Sequence, residues 1–483
     1  MQTVHIIVLV LYLAVMVAIG VYFTRGSKVA TGDDFMFAGR RLPNIVMIGT
    51  LLATWVGSGT IIGGANFAYT YGPFAGLIFF AGTPIGILVL FFAAAKVRAL
   101  AKYTVPELLE ARFGPTTRMV GALVILLAYV GIIAYQLIGG GYVISLVTPL
   151  STGQATVALA VLVTFLAIGG GLFSVAWTDF LSAMVIVFSL VVSVPIVLAA
   201  IGSPADYLAE LPETSQQLTG GLSGLQLLGF FLPLLLLILA DQNMYQRLAA
   251  ARDAGTARSS TVGFFLGSFL IIIPVALLAA AASVVLPNLE DADTAVLSLA
   301  SEGIVPAVIG GLLLAGALAF IVTTATSFML SVGGNLLYDF YLRFTKREVS
   351  DHSRLRLHRL AVLLVALCAY ILGQFFPTVL ELQIHSYTIY GVGITPAVIG
   401  MLFWRRVTTA GALASMISGA AAVLIWEFPL GKPMELNSVL IALPISVLAL
   451  VVGSLLTKPD EQRQRAVEEA INEHTQPTGG STR

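Results

Sequence analysis

A long apolar segment carries four hydroxyl side chains in five consecutive residues, at Thr323, Thr324, Thr326 and Ser327. Helical spacings of three and four residues place Thr323, Thr326 and Ser327 on one face. Hard cations take several oxygen ligands, and hydroxyls with free backbone carbonyls supply these without burying many charges. A single Thr in a membrane helix usually donates to the carbonyl four residues before it. Four together favour a site for an alkali metal ion such as sodium.

A second polar cluster interrupts the apolar segment at 51–64, where three glycines and four hydroxyl or indole side chains fall within ten residues. Glycine weakens a helix by roughly 1 kcal/mol relative to alanine. A broken helix is tolerated at membrane depth where it lines a cavity, and its freed carbonyls can bind an ion. Alternatively, Gly59 and Gly63 form a small-residue contact between intact helices. These residues alone leave both readings open, and Trp55 is either a substrate platform or a packing residue.

Three aspartates also fall within predicted membrane helices. Asp179 lies in an apolar segment, where a carboxylate is costly and is a functional hypothesis by default. The alternative is an acid at the membrane interface, since about five residues separate Asp179 from a loop. For Asp241 and Asp339 we expect structural roles, with pairing to the nearby Arg247 and Arg343.

The composition identifies a polytopic membrane protein: 483 residues, 58% hydrophobic and 10% charged, with a mean hydropathy of +0.95. The single cysteine, Cys368, excludes a disulfide framework, and the five histidines are scattered. We therefore expect neither an enzyme nor a nucleic-acid-binding protein. A channel or a solute sensor on a transporter fold remains the alternative to a transporter.

Hydropathy predicts thirteen membrane spans. All but one of the 25 Lys and Arg residues fall on one side of them, Lys432 being the exception. The positive-inside rule then predicts an outside N-terminus and a cytoplasmic C-terminus. The predicted spans are 4–23, 43–71, 74–98, 118–147, 154–171, 174–200, 222–246, 260–286, 304–341, 360–376, 378–404, 408–427 and 437–456.

Spans 2–6 and 7–11 form two groups of five. Because five is odd, the second group is inverted relative to the first. The first span of each group is interrupted, by glycines in span 2 and by Gly229 and Pro233 in span 7, which is the sequence indication of a transport site at the membrane midplane. We therefore divide the chain into a leading helix and first cytoplasmic loop (1–42), repeat one (43–201), repeat two (202–405), two trailing spans (406–456) and a cytoplasmic polar tail (457–483).

Several motifs resemble those of the sodium:solute symporter family. They are Ala-Thr-Trp-Val-Gly-Ser-Gly at 53–59, Gly-Gly-Leu-Phe-Ser-Val-Ala-Trp-Thr-Asp at 170–179, Tyr-Gln-Arg-Leu-Ala-Ala at 245–250, the hydroxyl turn before Asp-Phe-Tyr at 339–341, and Asp-Asp-Phe-Met-Phe-Ala-Gly-Arg at 33–40. The matches occur in order over about residues 1–405. The resemblance implies an all-α LeuT-type fold, a 5+5 inverted repeat with one leading and two trailing helices, and sodium-coupled import of a small organic solute.

The same resemblance implies the site residues by position. The main sodium site would use the carbonyls of Ala53, Val56 and Phe320 and the hydroxyls of Thr323 and Thr324. A possible second sodium would use Asp179 with Thr323, Thr326 and Ser327. The predicted substrate cavity is lined by Trp55, Gly57, Ser58, Thr60, Phe79, Gln136 and Leu237.

The predicted cavity is small and mostly apolar, without a basic side chain, which favours an amino acid or a monocarboxylate. Helix N-termini or the sodium itself would then balance a carboxylate. We expect a monomeric functional unit in the bilayer of the cell membrane, with sodium and a small organic solute as its partners.

Overall fold

The computed structural model describes residues 2–26, 38–100, 102, 104–169, 172–344 and 351–475, and the regular elements in these residues are helical. The first half contains α1 (Gln2–Gly26), α2 (Asn44–Trp55), α3 (Gly64–Tyr71), α4 (Pro73–Leu100), α5 (Val105–Phe113), α6 (Pro115–Val147), α7 (Thr152–Gly169), α8 (Leu172–Ile201) and α9 (Pro204–Glu210). The second half contains α10 (Gly224–Ala240), α11 (Gln242–Ala250), α12 (Ala254–Val285), α13 (Ala295–Ser301), α14 (Ala307–Gly334), α15 (Leu342–Phe344), α16 (Asp351–Gly373), α17 (Val379–Gly393), α18 (Thr395–Phe403), α19 (Thr409–Glu427), α20 (Val439–Leu456) and α21 (Glu461–Thr475). Motif residues 33–37 and 170–171, loop residues 345–350 and tail residues 476–483 lie outside the described residues.

Ten helical segments in the described residues are long and apolar enough to cross a membrane. An eleventh crossing is the pair Asn44–Trp55 and Gly59–Tyr71, which bends by 61° at the break between its halves. Two further apolar helices, Thr3–Met16 and Thr152–Ile168, are shorter than these spans. These two helices overlap the first and fifth predicted spans. The count of thirteen membrane spans therefore stays a prediction.

The break in the second span follows from its glycine-rich sequence. Helix α2 ends at Trp55, and Val56 is extended, with φ −78° and ψ 128°. Helical geometry resumes as a π-helical turn at Gly59–Gly63, which leads into α3. Serine and glycine at 57–59 have weak helix propensity, so little intrinsic stability is lost by the interruption.

The other interrupted span breaks at a different place from the predicted one. Pro233 lies inside the continuous α10, so the expected interruption at Gly229 and Pro233 is wrong. The break is at Asp241, with φ −58° and ψ 127°, between α10 and α11. The Asp241 side chain accepts a hydrogen bond from the Met244 N–H at 2.8 Å, which caps the new helix.

Packing brings the broken α2 against the hydroxyl-bearing α14. Helix α2 packs on α8, α12 and α14, while α14 also packs on α6, α8 and α1. Helix α17 lies against α6 and against the π-helical turn that follows the break. The break in α2 is therefore enclosed by protein, as exposed peptide groups at membrane depth require.

Candidate functional site

The Thr324 hydroxyl joins α14 to the broken α2. Its Oγ1 lies 3.0 Å from the Ala53 carbonyl oxygen and 2.9 Å from that of Val56. One step back along α14, the Thr323 hydroxyl lies 3.2 Å from the Phe320 carbonyl oxygen. The structure thus brings three of the five predicted sodium ligands, those on Ala53, Val56 and Thr324, into one cluster of oxygen atoms.

The backbone explains why these two carbonyls face another helix. Carbonyls in the last turn of a helix lack N–H partners from the next turn. The N–H groups of Thr60 and Ile61 both bond to the Gly57 carbonyl at 3.1 Å, which leaves the Val56 carbonyl outside the ladder. A helix C-terminus also carries about half a negative charge. The end of α2 therefore offers negative potential and oxygen lone pairs to a cation.

Asp179 lies in a buried ionic cluster that links four helices. Its Oδ2 accepts a hydrogen bond from the Thr50 hydroxyl at 2.7 Å and lies 3.8 Å from a guanidinium nitrogen of Arg247. Asp179 and Arg247 are each only 1% exposed. The same guanidinium group donates to the Ser327 hydroxyl at 2.8 Å. Arg247 therefore stands between Asp179 and Ser327, two of the residues predicted for a second sodium.

Thr326, the other hydroxyl of that predicted second site, is engaged within its own helix. It donates to the Val322 carbonyl at 2.7 Å, four residues earlier. This is the usual arrangement for Thr in a membrane helix. The described contacts do not join Thr326 to Asp179.

The predicted substrate residues divide into two sets. Gly57, Ser58 and Gln136 are in contact, because the Ser58 N–H donates to the Gln136 Oε1 at 2.8 Å. A Cβ added to Gly57 would lie 2.4 Å from the Gln136 Nε2, so glycine allows the amide to lie against the backbone. The Gln136 side chain from α6 thereby covers the broken segment.

The other four predicted substrate residues are buried, and the described residues show no hydrogen bond between them and Gln136. Trp55 packs edge-on against Phe264, with ring centroids 6.2 Å apart. Phe79 stacks on Phe67 at 4.7 Å within an aromatic cluster. Thr60 and Leu237 are buried, and among the described residues neither has a hydrogen bond to Gln136.

Sequence reasoning missed a polar group on α17 that reaches the same break. The Gln383 amide lies against Gly59 and Gly63, where an added Cβ would come within 2.9 Å and 2.3 Å of its atoms. The Tyr387 hydroxyl is also close to Gly59 and accepts a hydrogen bond from Tyr135 at 3.0 Å. The spacing of Gln383 and Tyr387, four residues apart on one helix face, was the available signal.

The expected pairing of Asp339 with Arg343 is wrong. Asp339 accepts from the Arg118 Nε at 2.6 Å, and Arg343 instead bonds to Glu110 at 2.9 Å. Arg118 also pairs with Glu110 at 2.7 Å. Burial alone would raise the pKa of the Glu110 carboxyl, but the guanidinium groups of Arg118 and Arg343 lower it. This cluster ties α5, α6 and the end of the span that contains α14.

The described geometry is a broken helix whose free carbonyls meet a hydroxyl-bearing helix. The sodium:solute symporter family model matches residues 35–419, most of the chain. The chain belongs to the sodium:solute symporter family.

Individual relatives of this symporter agree in sequence over most of its length. The high-affinity proline transporter PutP of Bacillus subtilis strain 168 is 27% identical and covers 77% of this chain and 80% of its own. The sodium/proline symporter of Staphylococcus aureus strain USA300 / TCH1516 is 25% identical and covers 96% of this chain and 94% of its own.

Solved structures share the architecture of this symporter. A Na+-coupled sialic acid symporter, in its substrate-bound outward-open state, aligns with a TM-score of 0.78 and 19% identity over 94% of this chain and 98% of its own. MhsT in complex with L-phenylalanine aligns with a TM-score of 0.55 and 14% identity over 85% and 98%. The LeuT-type fold expected from the sequence is thereby confirmed.

The family fixes the general function. The protein is a multi-pass protein of the cell membrane and a sodium-coupled symporter of a small organic solute, with Na+ as its coupling ion. It is a transporter rather than an enzyme. These points confirm the predictions from the sequence motifs.

Proposed function

We propose that this symporter binds its coupling sodium between the break after α2 and the hydroxyl groups of α14. The ligands are the carbonyls of Ala53, Val56 and Phe320 and the hydroxyls of Thr323 and Thr324. The observation that supports this most is the Thr324 hydroxyl, within 3.0 Å of two carbonyl oxygens at a helix C-terminus. When sodium binds, the Thr324 hydroxyl would keep its hydrogen and turn it away from the two carbonyls, so that its oxygen and both carbonyl oxygens could face the ion.

Sodium bound there couples the two repeats. It fastens α2 of the first repeat to α14 of the second, and so favours the conformation in which both line the substrate cavity. Binding free energies are reciprocal, so substrate raises sodium affinity by the same factor as sodium raises substrate affinity. This reciprocity is the physical basis of symport.

A second sodium at Asp179, Thr326 and Ser327, as the resemblance implies, would compete with Arg247 for the same groups. The guanidinium group already supplies positive charge 3.8 Å from the Asp179 carboxylate. We therefore propose a single sodium per cycle in the conformation described, with Arg247 as the fixed counter-charge of Asp179.

The proposed solute is a small amino acid. The substrate cavity is assigned to Trp55, Gly57, Ser58, Thr60, Phe79, Gln136 and Leu237, with Gly57, Ser58 and Gln136 supported by direct contacts. Two relatives carry proline transport in their names, which favours L-proline as the first compound to assay. The carboxylate of a zwitterion would be balanced by sodium itself, as predicted from the lack of a basic residue in the proposed set.

The proposed arrangement in the bilayer has an outside N-terminus, a cytoplasmic C-terminus and a monomeric transport unit. The chain divides into a leading region (1–42), two inverted repeats (43–201 and 202–405), trailing spans (406–456) and a cytoplasmic tail (457–483). Protease accessibility of terminal tags in sealed vesicles tests the orientation. The mass of the detergent-solubilised protein, measured by light scattering, tests the monomer.

Uptake into proteoliposomes tests the proposed sodium site. Replacing Thr323 and Thr324 together by alanine should abolish sodium-driven uptake of L-proline while leaving membrane insertion intact. Thr156→Ala is the control, because the Thr156 hydroxyl donates to the Thr152 carbonyl within its own helix. Uptake by the double variant at the rate of the control would refute the assignment.

A further inference from the structure

Two neutral side-chain amides lie against the glycines of the broken helix, one from each repeat. Gln136 of α6 lies against Gly57, and Gln383 of α17 lies against Gly59 and Gly63. Added Cβ atoms at these glycines would lie within 2.3–2.9 Å of the amide atoms, so only glycine admits both side chains. Glycine is the residue that allows such close approach of a side chain to the backbone, so these glycines and amides form one structural unit at the break.

The two amides differ in how far their hydrogen-bonding capacity is used. The Gln136 Oε1 accepts the Ser58 N–H at 2.8 Å. The Gln383 Oε1 is buried and has no hydrogen-bond donor among the described residues, in a side chain that is 2% exposed. Native proteins rarely leave a buried acceptor unpaired, and each specific exception calls for an explanation.

The position of Gln383 supplies that explanation. The unpaired oxygen of Gln383 faces Gly63 in the π-helical turn. Four residues earlier, at Gly59, the rest of the Gln383 amide and the Tyr387 hydroxyl lie against the backbone. The side chains that touch these glycines carry no net charge. A neutral acceptor suits the N–H of a zwitterion, because a carboxylate acceptor would favour any cation and would repel the carboxylate of an amino acid.

We propose that the Gln383 amide oxygen receives a hydrogen bond from the ammonium group of the transported amino acid, which makes Gln383 a specificity-determining residue. This inference rests on the proposed function, because it assumes an amino acid substrate. The ligand class inferred here is narrower than amino acids in general: it is a small zwitterion whose nitrogen carries at least one hydrogen. The substrate then satisfies an acceptor that is otherwise unpaired, so an analogue without an N–H is rejected.

The test uses two probes of equal charge, L-proline and N,N-dimethyl-L-proline, the second of which has no N–H. Competition against radiolabelled L-proline for uptake into proteoliposomes, with sodium higher outside than inside, gives the preference between them. The wild type should prefer L-proline by about tenfold to a hundredfold, the usual effect of a hydrogen bond to a charged group. Gln383→Leu should weaken L-proline binding by a similar factor and abolish the preference.

Four further variants keep this test decisive. Gln383→Glu retains an acceptor and should retain the preference, while its charge, which repels the substrate carboxylate, lowers the affinity for both probes. Gln374→Leu is the matched control, since Gln374 is exposed and its side-chain amide donates to the Tyr370 carbonyl, close by in sequence. Gly63→Ala should reproduce the loss, because its Cβ would displace the Gln383 oxygen, whereas Gly153→Ala meets open space.

The outcomes separate this inference from the proposed function. Gln383→Leu with the wild-type preference, or a wild type with equal affinity for both probes, would overturn the role of Gln383 while leaving amino acid transport standing. A wild type that takes up none of L-proline, L-alanine and glycine with sodium would overturn the amino acid class and this inference with it. The sodium-induced rise in melting temperature shows which variants are folded.

Discussion

Removing the guanidinium group of Arg247 should destabilise the fold strongly, because it leaves the Asp179 carboxylate buried without a counter-charge. At the observed 3.8 Å and an effective dielectric constant of about 20, the attraction between the two charges is about 4 kcal/mol. Breaking a buried pair by removing one partner typically costs 3–5 kcal/mol. We therefore expect Arg247→Met to lower the free energy of unfolding by about 3–5 kcal/mol.

A double-mutant cycle isolates the pair. Asp179→Asn, Arg247→Met and their combination are compared by SDS-titrated unfolding in mixed micelles, and the coupling energy should be about 3 kcal/mol. The control cycle is the exposed pair of Glu461 and Arg465, whose nitrogen and oxygen are 3.3 Å apart. Exposed pairs contribute at most about 1 kcal/mol.

Two results would refute this reasoning. The first is a coupling energy between Asp179 and Arg247 no larger than that of the control pair. The second is Arg247→Met with full stability in sodium chloride and low stability in choline chloride, which would make sodium, rather than Arg247, the counter-charge of Asp179.

Three further predictions follow from contacts at the break and at the ends of the bundle. Gly57→Ala should weaken L-proline binding more than tenfold with sodium binding retained, since its Cβ would lie 2.4 Å from the Gln136 amide; unchanged uptake kinetics would contradict this. Burial raises the pKa of Asp293 from 3.8 to about 6, so unfolding free energy should fall by about 3 kcal/mol as pH rises between these values. Asp293→Asn should remove that slope in a melting-temperature series at stepped pH. Arg118→Gln should destabilise the fold by about 3 kcal/mol, because Asp339 loses a 2.6 Å ion pair; a loss under 1 kcal/mol in SDS titration would exclude this role.

The sign of the Asp293 effect follows from the direction of its pKa shift. Below pH 3.8 the carboxyl is protonated in both states, and between 3.8 and about 6 the folded state alone keeps the proton. The proton therefore stabilises the folded state within this window, and that stabilisation is lost as pH rises through it. Above pH 6 the ionised carboxylate still accepts hydrogen bonds from Asn66 and the Val379 N–H, both at 2.8 Å.

The sequence indicates the helix break after α2 better than it indicates the ionic clusters. Glycine and serine at 57–59 indicate a weak helix, and the hydroxyl groups of α14 indicate a cation ligand set, so local composition is sufficient. The break in the seventh span was misplaced because Pro233 is tolerated within α10, whereas Asp241 caps a new helix. Proline tolerance depends on neighbouring helices, which local sequence does not specify.

The partners of buried charges were the least predictable part. Asp339 pairs with Arg118, more than 200 residues away, instead of the neighbouring Arg343. Sequence proximity favours the wrong pair because helix packing decides which side chains meet. Gln383 was missed for the same reason, since its importance depends on glycines of another helix that lie opposite it.

Direct sodium binding to the purified protein tests the central claim most simply. Thr324→Ala removes the hydroxyl that lies beside the Ala53 and Val56 carbonyls, whereas Thr326→Ala removes one that bonds within its own helix. In a radioactive sodium binding assay, Thr324→Ala should lower affinity about tenfold or more, and Thr326→Ala should change it less than about twofold. Wild-type affinity in Thr324→Ala, or an equal loss in Thr326→Ala, would contradict a sodium site between the helix break and α14.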